Sequence, residues 1–131
     1  MTGSQSDEGF FAAHPLELPL YTTVRERVLA EFPGTQAVVY RTQIAFRDRR
    51  NYCWVWLPLR RMRNRPEVYI VVTFVLGERL ANSRIVEAVE PRPGRWTHHV
   101  LVQAPTEVDA ELLGWISAAH RLAHQRRTPE R

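Results

Sequence analysis

A chain of 131 residues with 44% hydrophobic and 24% charged residues has the size of one domain, and its composition excludes an intrinsically disordered protein. The net charge is only +4 and every one of the 18 basic residues is arginine, so the arginine content alone is poor evidence for nucleic-acid binding. The one cysteine excludes an internal disulfide, and we expect Cys53 to be a buried hydrophobic residue.

The first 40 residues predict a leader, a helix and a strand. Residues 1–8 are small and polar and are expected to be flexible, whereas the apolar segment 9–15 is expected to dock on the core. A helix is predicted over residues 19–32, ended by Pro33 and Gly34, because apolar side chains recur at i, i+4 spacing: Leu20, Val24, Val28 and Phe32. Residues 35–40 predict the first strand.

Residues 43–59 predict a β-hairpin, because two β-rich runs flank the polar turn 48–51. We expect Arg47 to lie opposite Tyr52 across a four-residue loop. The other predicted pairs are then Phe46 with Cys53, Ile44 with Val55, Ala45 with Trp54, and Gln43 with Trp56. One face of this hairpin would be apolar, and the other would be aromatic and cationic.

The second half of the chain predicts three more strands and a terminal helix. Residues 67–76 are apolar at nearly every position, which indicates a central strand buried on both faces, and shorter strands follow at 85–89 and 96–102. A helix is predicted from about Thr106, as a candidate N-cap, to His124, before a flexible tail at 125–131. The predicted fold is a single α+β domain (residues 9–124) in two layers, whose antiparallel meander of five to six strands is flanked in sequence by an N-terminal and a C-terminal helix.

No recognised pattern of catalytic, cofactor-binding or metal-ligating residues is present. Successive side chains of a strand point to opposite faces, so His98 and His99 are not expected to share a metal ion. His120 and His124 have the i, i+4 spacing of a metal-binding pair, but we interpret them as histidines favoured by the helix C-terminus and predict no metal site. We likewise predict no catalytic residue and no cofactor; were the protein an enzyme, the candidates would be His98, His99 and Glu90.

The aromatic and cationic face of the hairpin is the main functional feature. Its predicted ligand or partner residues are Arg47, Tyr52, Trp54, Trp56 and His99, with further basic contacts from Arg41, Arg49 and Arg50. Aromatic rings flanked by arginines stack the bases of single-stranded nucleic acids, while burial of these rings under a helix or a second subunit is the simpler alternative.

Three segments resemble a small bacterial domain family of unknown function, DUF5655: residues 10–15, residues 44–56 and residues 94–100. The resemblance covers about residues 9–124. It implies a compact α+β unit without an assigned activity, found alone and as a module of longer proteins, some of them nuclease-like, and it supplies no catalytic residues.

We therefore expect a small binding or accessory domain that uses this face for a ligand, a protein partner or self-association as a homodimer. A single-stranded nucleic-acid-binding module, which is not favoured, and a small enzyme of unknown reaction are the alternatives. A membrane partner is not expected, and residues 1–8 lack the basic and apolar regions of a signal peptide, so a cytoplasmic location is predicted.

Overall fold

The structure, a computed structural model, describes residues 7–58 and 63–125. Its elements in chain order are α1 (Asp7–Phe10), α2 (Leu18–Glu31), β1 (Gln36–Val39), β2 (Ile44–Asp48), β3 (Arg50–Trp56), β4 (Ile70–Leu76), β5 (Ile85–Arg92), β6 (Arg95–Val102), a 3-10 turn (Pro105–Glu107) and α3 (Ala110–His124). The six strands form one antiparallel sheet, and α2 and α3 pack on one of its faces. The predicted α+β class with two layers is confirmed.

Both ends of the chain extend beyond the described residues. Residues 1–6 and 126–131, which make up most of the predicted leader and tail, lie outside them, as do Leu59, Arg60, Arg61 and Met62 after the hairpin. Asp7 and Glu8, assigned to the leader, form the first turn of α1. The apolar segment that follows docks on the core as predicted, because Phe11 is buried and its ring stacks on that of Tyr21, 5.2 Å between centroids.

The core lies between α2, α3 and the facing side of the sheet. Each helix buries the apolar stripe that its periodicity predicts, since side chains three and four residues apart share one helix face. The buried side chains are Leu20, Tyr21, Val24 and Val28 of α2 and Leu112, Ile116 and Ala119 of α3. No helix within the described ranges combines the length and the apolar character that crossing a bilayer demands.

The strand order across the sheet is β1-β2-β3-β4-β6-β5. The predicted central position of β4 is confirmed, but the predicted meander is wrong at its end, because β6 lies between β4 and β5. The burial of the two strands explains this order: β6 places Val100 and Val102 in the core, whereas β5 exposes Val86 and Val89 and therefore suits an edge. Residues 77–84 carry the chain from β4 to that edge.

The hairpin of β2 and β3 has the predicted register over three pairs, namely Ile44 with Val55, Ala45 with Trp54, and Phe46 with Cys53. Beyond Phe46 the register shifts. Arg47 lies opposite Asn51 and Asp48 opposite Arg50, with Arg49 at the turn in the left-handed backbone region (φ 71°). The predicted pairing of Arg47 with Tyr52 is therefore wrong, because the turn is tighter than four residues and β3 carries a bulge.

The bulge turns Tyr52 towards the helices. Its side chain is 1% exposed, its hydroxyl lies 2.6 Å from the hydroxyl of Thr35, and its ring meets Phe32 and His120 edge-on. The prediction that Tyr52 lies on the aromatic face is thus wrong: Tyr52 belongs to the core, beside Cys53, which is buried as predicted.

Candidate functional site

The face of the sheet opposite α2 and α3 carries a row of side chains that crosses five strands. The antiparallel pairs place Ala45, Trp54, Thr73, His99 and Glu87 next to one another in this order. Their sequence neighbours Phe46, Cys53, Phe74 and Val100 point to the core, so the alternation of a strand directs this row away from the helices. We call this side of the sheet the open face.

A chain of hydrogen bonds orders the middle of the open face. The indole Nε1–H of Trp56 donates to the hydroxyl of Thr73 over 2.8 Å, and the same hydroxyl lies 2.8 Å from Nδ1 of His99. The ring of Trp56 also meets that of His99 edge-on, with 5.7 Å between centroids. Burial lowers the pKa of His99, so its imidazole is neutral at pH 7. Trp56 and His99 are therefore held in place by Thr73 before any ligand arrives.

Two grooves adjoin one another: the first lies on the open face, and the second lies at the end of the sheet and reaches round to α3 on the other side. The first, of about 400 Å³, is lined by Gln43, Trp54, Trp56, Thr73, Val75, Thr97 and His99. The second, of about 260 Å³, is lined by hairpin residues, by the last turns of α3 and by the arginines Arg50, Arg92 and Arg95. Trp54, Val75 and Thr97 line both grooves, so an aromatic half and an arginine half are continuous.

The arginines of the second groove have no anionic partner among the residues that the structure describes. Within residues 7–58 and 63–125, the guanidinium groups of Arg50, Arg92 and Arg95 make no side-chain hydrogen bond or ion pair. Arg92 and Arg95 face each other across the turn that joins β5 and β6, which sets both beside Trp54 at one end of the sheet. Their donors are thus available to an anionic group.

The structure brings together only some of the predicted face residues. Trp54, Trp56 and His99 line the first groove, and Arg50 lines the second. Arg47 is exposed and its guanidinium donates to the Asn51 amide oxygen at 3.4 Å, while Arg41 and Arg49 are exposed in turns and line neither groove. Tyr52 lies in the core, as described above, and lines the second groove from that side.

Sequence reasoning missed Thr73, Arg92 and Arg95. Thr73 lies in an almost wholly apolar strand, and its single hydroxyl is the only local sign that this strand carries polar contacts. Arg92 and Arg95 flank a Pro-Gly turn, which predicts a loop but not a place next to Trp54. Only the position of β6 beside β4 creates that contact.

The residues named for catalysis are kept apart. His98 is fully buried on the core side, stacks on Phe74 and accepts the backbone N–H of Leu80 at Nε2, whereas His99 lies on the open face. The opposite orientation of the two histidines is as predicted. Glu90 accepts the N–H of Gly94 and so stabilises the turn between β5 and β6.

A second cluster of polar side chains joins the β2–β3 turn to the end of α3. Nε2 of His120 lies 2.9 Å from Oδ2 of Asp48, and Nε2 of His124 lies 3.2 Å from the same oxygen. Because an ionised carboxylate can only accept, His120 carries the proton of its bond. This hydrogen bond, with the neighbouring His124, holds the pKa of Asp48 below its ordinary value. The sequence prediction considered the two histidines but not Asp48.

Comparison with known proteins identifies a family but no characterised relative. The sequence model of the family described as "Domain of unknown function (DUF5655)" matches residues 8–123. No protein with a curated description and no solved structure matches the chain. The matched segment spans every helix and strand described above except the first residue of α1 and the last of α3. The chain belongs to the DUF5655 family.

Proposed function

We propose that this protein is a binding module whose open face takes a ligand with a planar ring and an anionic group, the chemistry of a nucleotide or of single-stranded nucleic acid. One observation carries the proposal: Trp54, Val75 and Thr97 line both grooves and so connect the aromatic half to the arginine half. A planar ring would stack near Trp54 and Trp56, while the anionic group would lie between Arg92 and Arg95.

The arrangement of polar groups supports such a ligand. The amide of Gln43, the hydroxyl of Thr97 and the imidazole of His99 line the aromatic groove and offer donors and acceptors to the edge of a ring. Thr73 holds His99 and Trp56 in position, which reduces the entropy that binding would otherwise cost. This combination of apolar walls with a few oriented polar groups is typical of ligand sites.

The first test measures binding of nucleoside monophosphates and of short single-stranded oligodeoxythymidines by titration calorimetry. Trp54→Ala should weaken binding by roughly 5- to 150-fold, since stacking of one base on an aromatic side chain contributes about 1–3 kcal/mol. Arg92→Gln with Arg95→Gln should also weaken it. The matched control is Arg41→Gln, which removes an exposed arginine that lines neither groove and should leave affinity unchanged.

The salt dependence of binding distinguishes a single-stranded nucleic acid from a free nucleotide as the ligand. For a single strand, log Kd should rise with log salt concentration with a slope of about 0.7 for each neutralised phosphate. The slope should increase with oligonucleotide length until every arginine of the groove contacts a phosphate. If the ligand is a free nucleotide, log Kd should depend only weakly on log salt concentration. The affinity for a single strand should then not increase with its length. Absence of binding by every probe, or equal weakening by Arg41→Gln, would rule the proposal out.

A further inference from the structure

We propose that Asp48, His120 and His124 form a binding site for a divalent transition-metal ion of the zinc class. The site is separate from the proposed ligand grooves, since none of the three side chains lines either of them. Two imidazoles and one carboxylate are a ligand set that favours zinc and its first-row neighbours over magnesium or calcium, which prefer oxygen ligands alone. The ion would join the β2–β3 turn to the end of α3.

The distances from the Asp48 carboxylate to both histidines already match the spacing that a zinc ion requires. Three ligands at about 2.0–2.1 Å from a tetrahedral zinc ion are roughly 3.3 Å apart. Oδ2 of Asp48 lies 2.9 Å and 3.2 Å from the Nε2 atoms of His120 and His124, and one donor atom from each of the three residues lies within 4.8 Å of the others. An ion entering between them changes the two carboxylate–histidine distances by only tenths of an ångström, and it draws together the donor atoms of the two histidines, which are at most 4.8 Å apart. The ion replaces the proton that His120 now donates.

Packing fixes two of the three side chains. The imidazole of His120 stacks on Phe32 with 4.3 Å between centroids and meets Tyr52 edge-on at 4.9 Å, so its orientation is set by the core. Asp48 is the last residue of β2, paired with Arg50. A methyl group at Gly34 would come within 3.2 Å of its carboxylate, so glycine leaves the space in which the carboxylate lies. Such preorganisation is what a metal site requires.

The Nε2 atom of His124 is the least satisfied donor atom of the cluster. It is buried and has no hydrogen-bond partner in the part of the chain that the structure describes, although it points to within 3.2 Å of the Asp48 carboxylate. A buried polar atom without a partner is unfavourable, and a shared cation would satisfy it. The three side chains remain 18–32% exposed, so an ion and a fourth ligand, such as water, can reach the site.

The test titrates zinc into the full-length, EDTA-treated protein and follows both binding heat and thermal unfolding. We expect one ion per chain and a rise in Tm of about 10 °C when zinc is at 100 times its Kd. His124→Gln and Asp48→Asn should each weaken binding at least about 100-fold, because loss of a residue that only hydrogen-bonds to a metal ligand already costs about 10- to 100-fold. Both variants spare His120, whose ring is part of the core packing.

The matched control is His14→Gln, which removes an exposed histidine away from the cluster and should leave binding unchanged. Cobalt provides a second readout, since visible absorption of the bound ion should appear in the parent protein and disappear in both ligand variants. If zinc leaves the Tm unaltered, or if the ligand variants bind as tightly as the parent, the cluster is only an Asp–His ion pair. Neither result depends on whether the open face binds nucleotides.

Discussion

Thr73 is a small residue on which the candidate ligand groove depends. It is 6% exposed and its hydroxyl is the shared partner of the Trp56 indole and the His99 imidazole. This hydroxyl is the only polar side-chain group of β4. Because β4 pairs with β3 on one side and with β6 on the other, the hydroxyl can contact residues of both strands. Without it, Nε1 of Trp56 and Nδ1 of His99 would each lose a hydrogen-bond partner.

We therefore predict that Thr73→Val, which keeps the shape of the side chain, lowers the free energy of unfolding by about 1–3 kcal/mol, because partly buried donors and acceptors lose their partner. The same variant should weaken ligand binding by freeing the rings of Trp56 and His99. Urea unfolding measures the first effect and titration calorimetry the second.

Thr97→Val is the control, because Thr97 lies on the same face in β6 but its hydroxyl makes no hydrogen bond with a described residue. We expect its unfolding free energy to change by less than about 0.5 kcal/mol. Equal destabilisation by the two substitutions would show that the Trp56–Thr73–His99 contacts contribute nothing specific.

At the scale of elements, Arg84 and Asp109 determine where α3 begins. Asp109 is the N-cap, accepting the N–H of Leu112 at 3.0 Å, and Arg84 contacts Asp109, Glu111 and the backbone carbonyl of Glu107. The predicted N-cap at Thr106 is wrong, because residues 105–107 form a separate 3-10 turn. The Asp109 carboxylate therefore caps α3 and also places a negative charge at the helix N-terminus, where the helix dipole favours it.

Asp109→Ala should lower the free energy of unfolding at pH 7 by about 0.5–2 kcal/mol through loss of the cap. The N–H of Leu112 and the guanidinium of Arg84 hold the pKa of Asp109 below its ordinary value. A carboxylate of this kind stabilises the fold above the unfolded-state pKa of about 3.9, and its contribution is lost as the pH falls through the lower folded-state pKa. The difference in the free energy of unfolding between the parent and Asp109→Ala should therefore become smaller below about pH 4.

Urea unfolding from pH 3 to pH 7 checks this prediction. Glu111→Gln is the matched control, since it removes the other carboxylate that contacts Arg84 but no cap, and an exposed ion pair contributes at most about 1 kcal/mol. If the difference in unfolding free energy between the parent and Asp109→Ala became larger in acid, the assignment of Asp109 as an ionised cap would be wrong.

For the whole molecule, the two-layer architecture leaves one sheet face without a helix from the described part of the chain. Both long helices pack on the same side, so Trp54 and Trp56 remain partly exposed on the other. The edge strand β5 adds Val86 and Val89, which are 40% and 43% exposed. This surface is available to a ligand only if copies of the chain do not pair through it.

We predict that the face is open at all protein concentrations. In a variant that keeps only Trp54, with Trp56, Trp96 and Trp115 changed to Phe, acrylamide should quench the fluorescence strongly and to the same extent from low to high protein concentration. Circular dichroism verifies that the variant folds. Protection that develops as concentration rises would mean that the face is a dimer interface, and protection at every dilution would place Trp54 in the core.

The elements of this fold follow from local patterns. The apolar spacing of α2 and α3, the continuous apolar run of β4 and the alternation in the hairpin are properties of neighbouring residues, so the sequence predicts them without knowledge of the whole. The predicted hairpin pairs from Ile44 to Phe46 are right for the same reason. The bulge at Tyr52 is different, because the core contacts of that ring with Phe32 and His120 outweigh strict alternation.

The sequence by itself determined the fold class, the strands and helices, and the aromatic character of the hairpin. Only the tertiary structure decided which side chains meet. Placing β6 beside β4 brings Arg92 and Arg95 to Trp54, and packing α3 on the hairpin brings His120 to Asp48 across 72 residues of sequence. Contacts of this kind depend on how whole elements pack, since no local periodicity encodes the distance between residues so far apart in the chain.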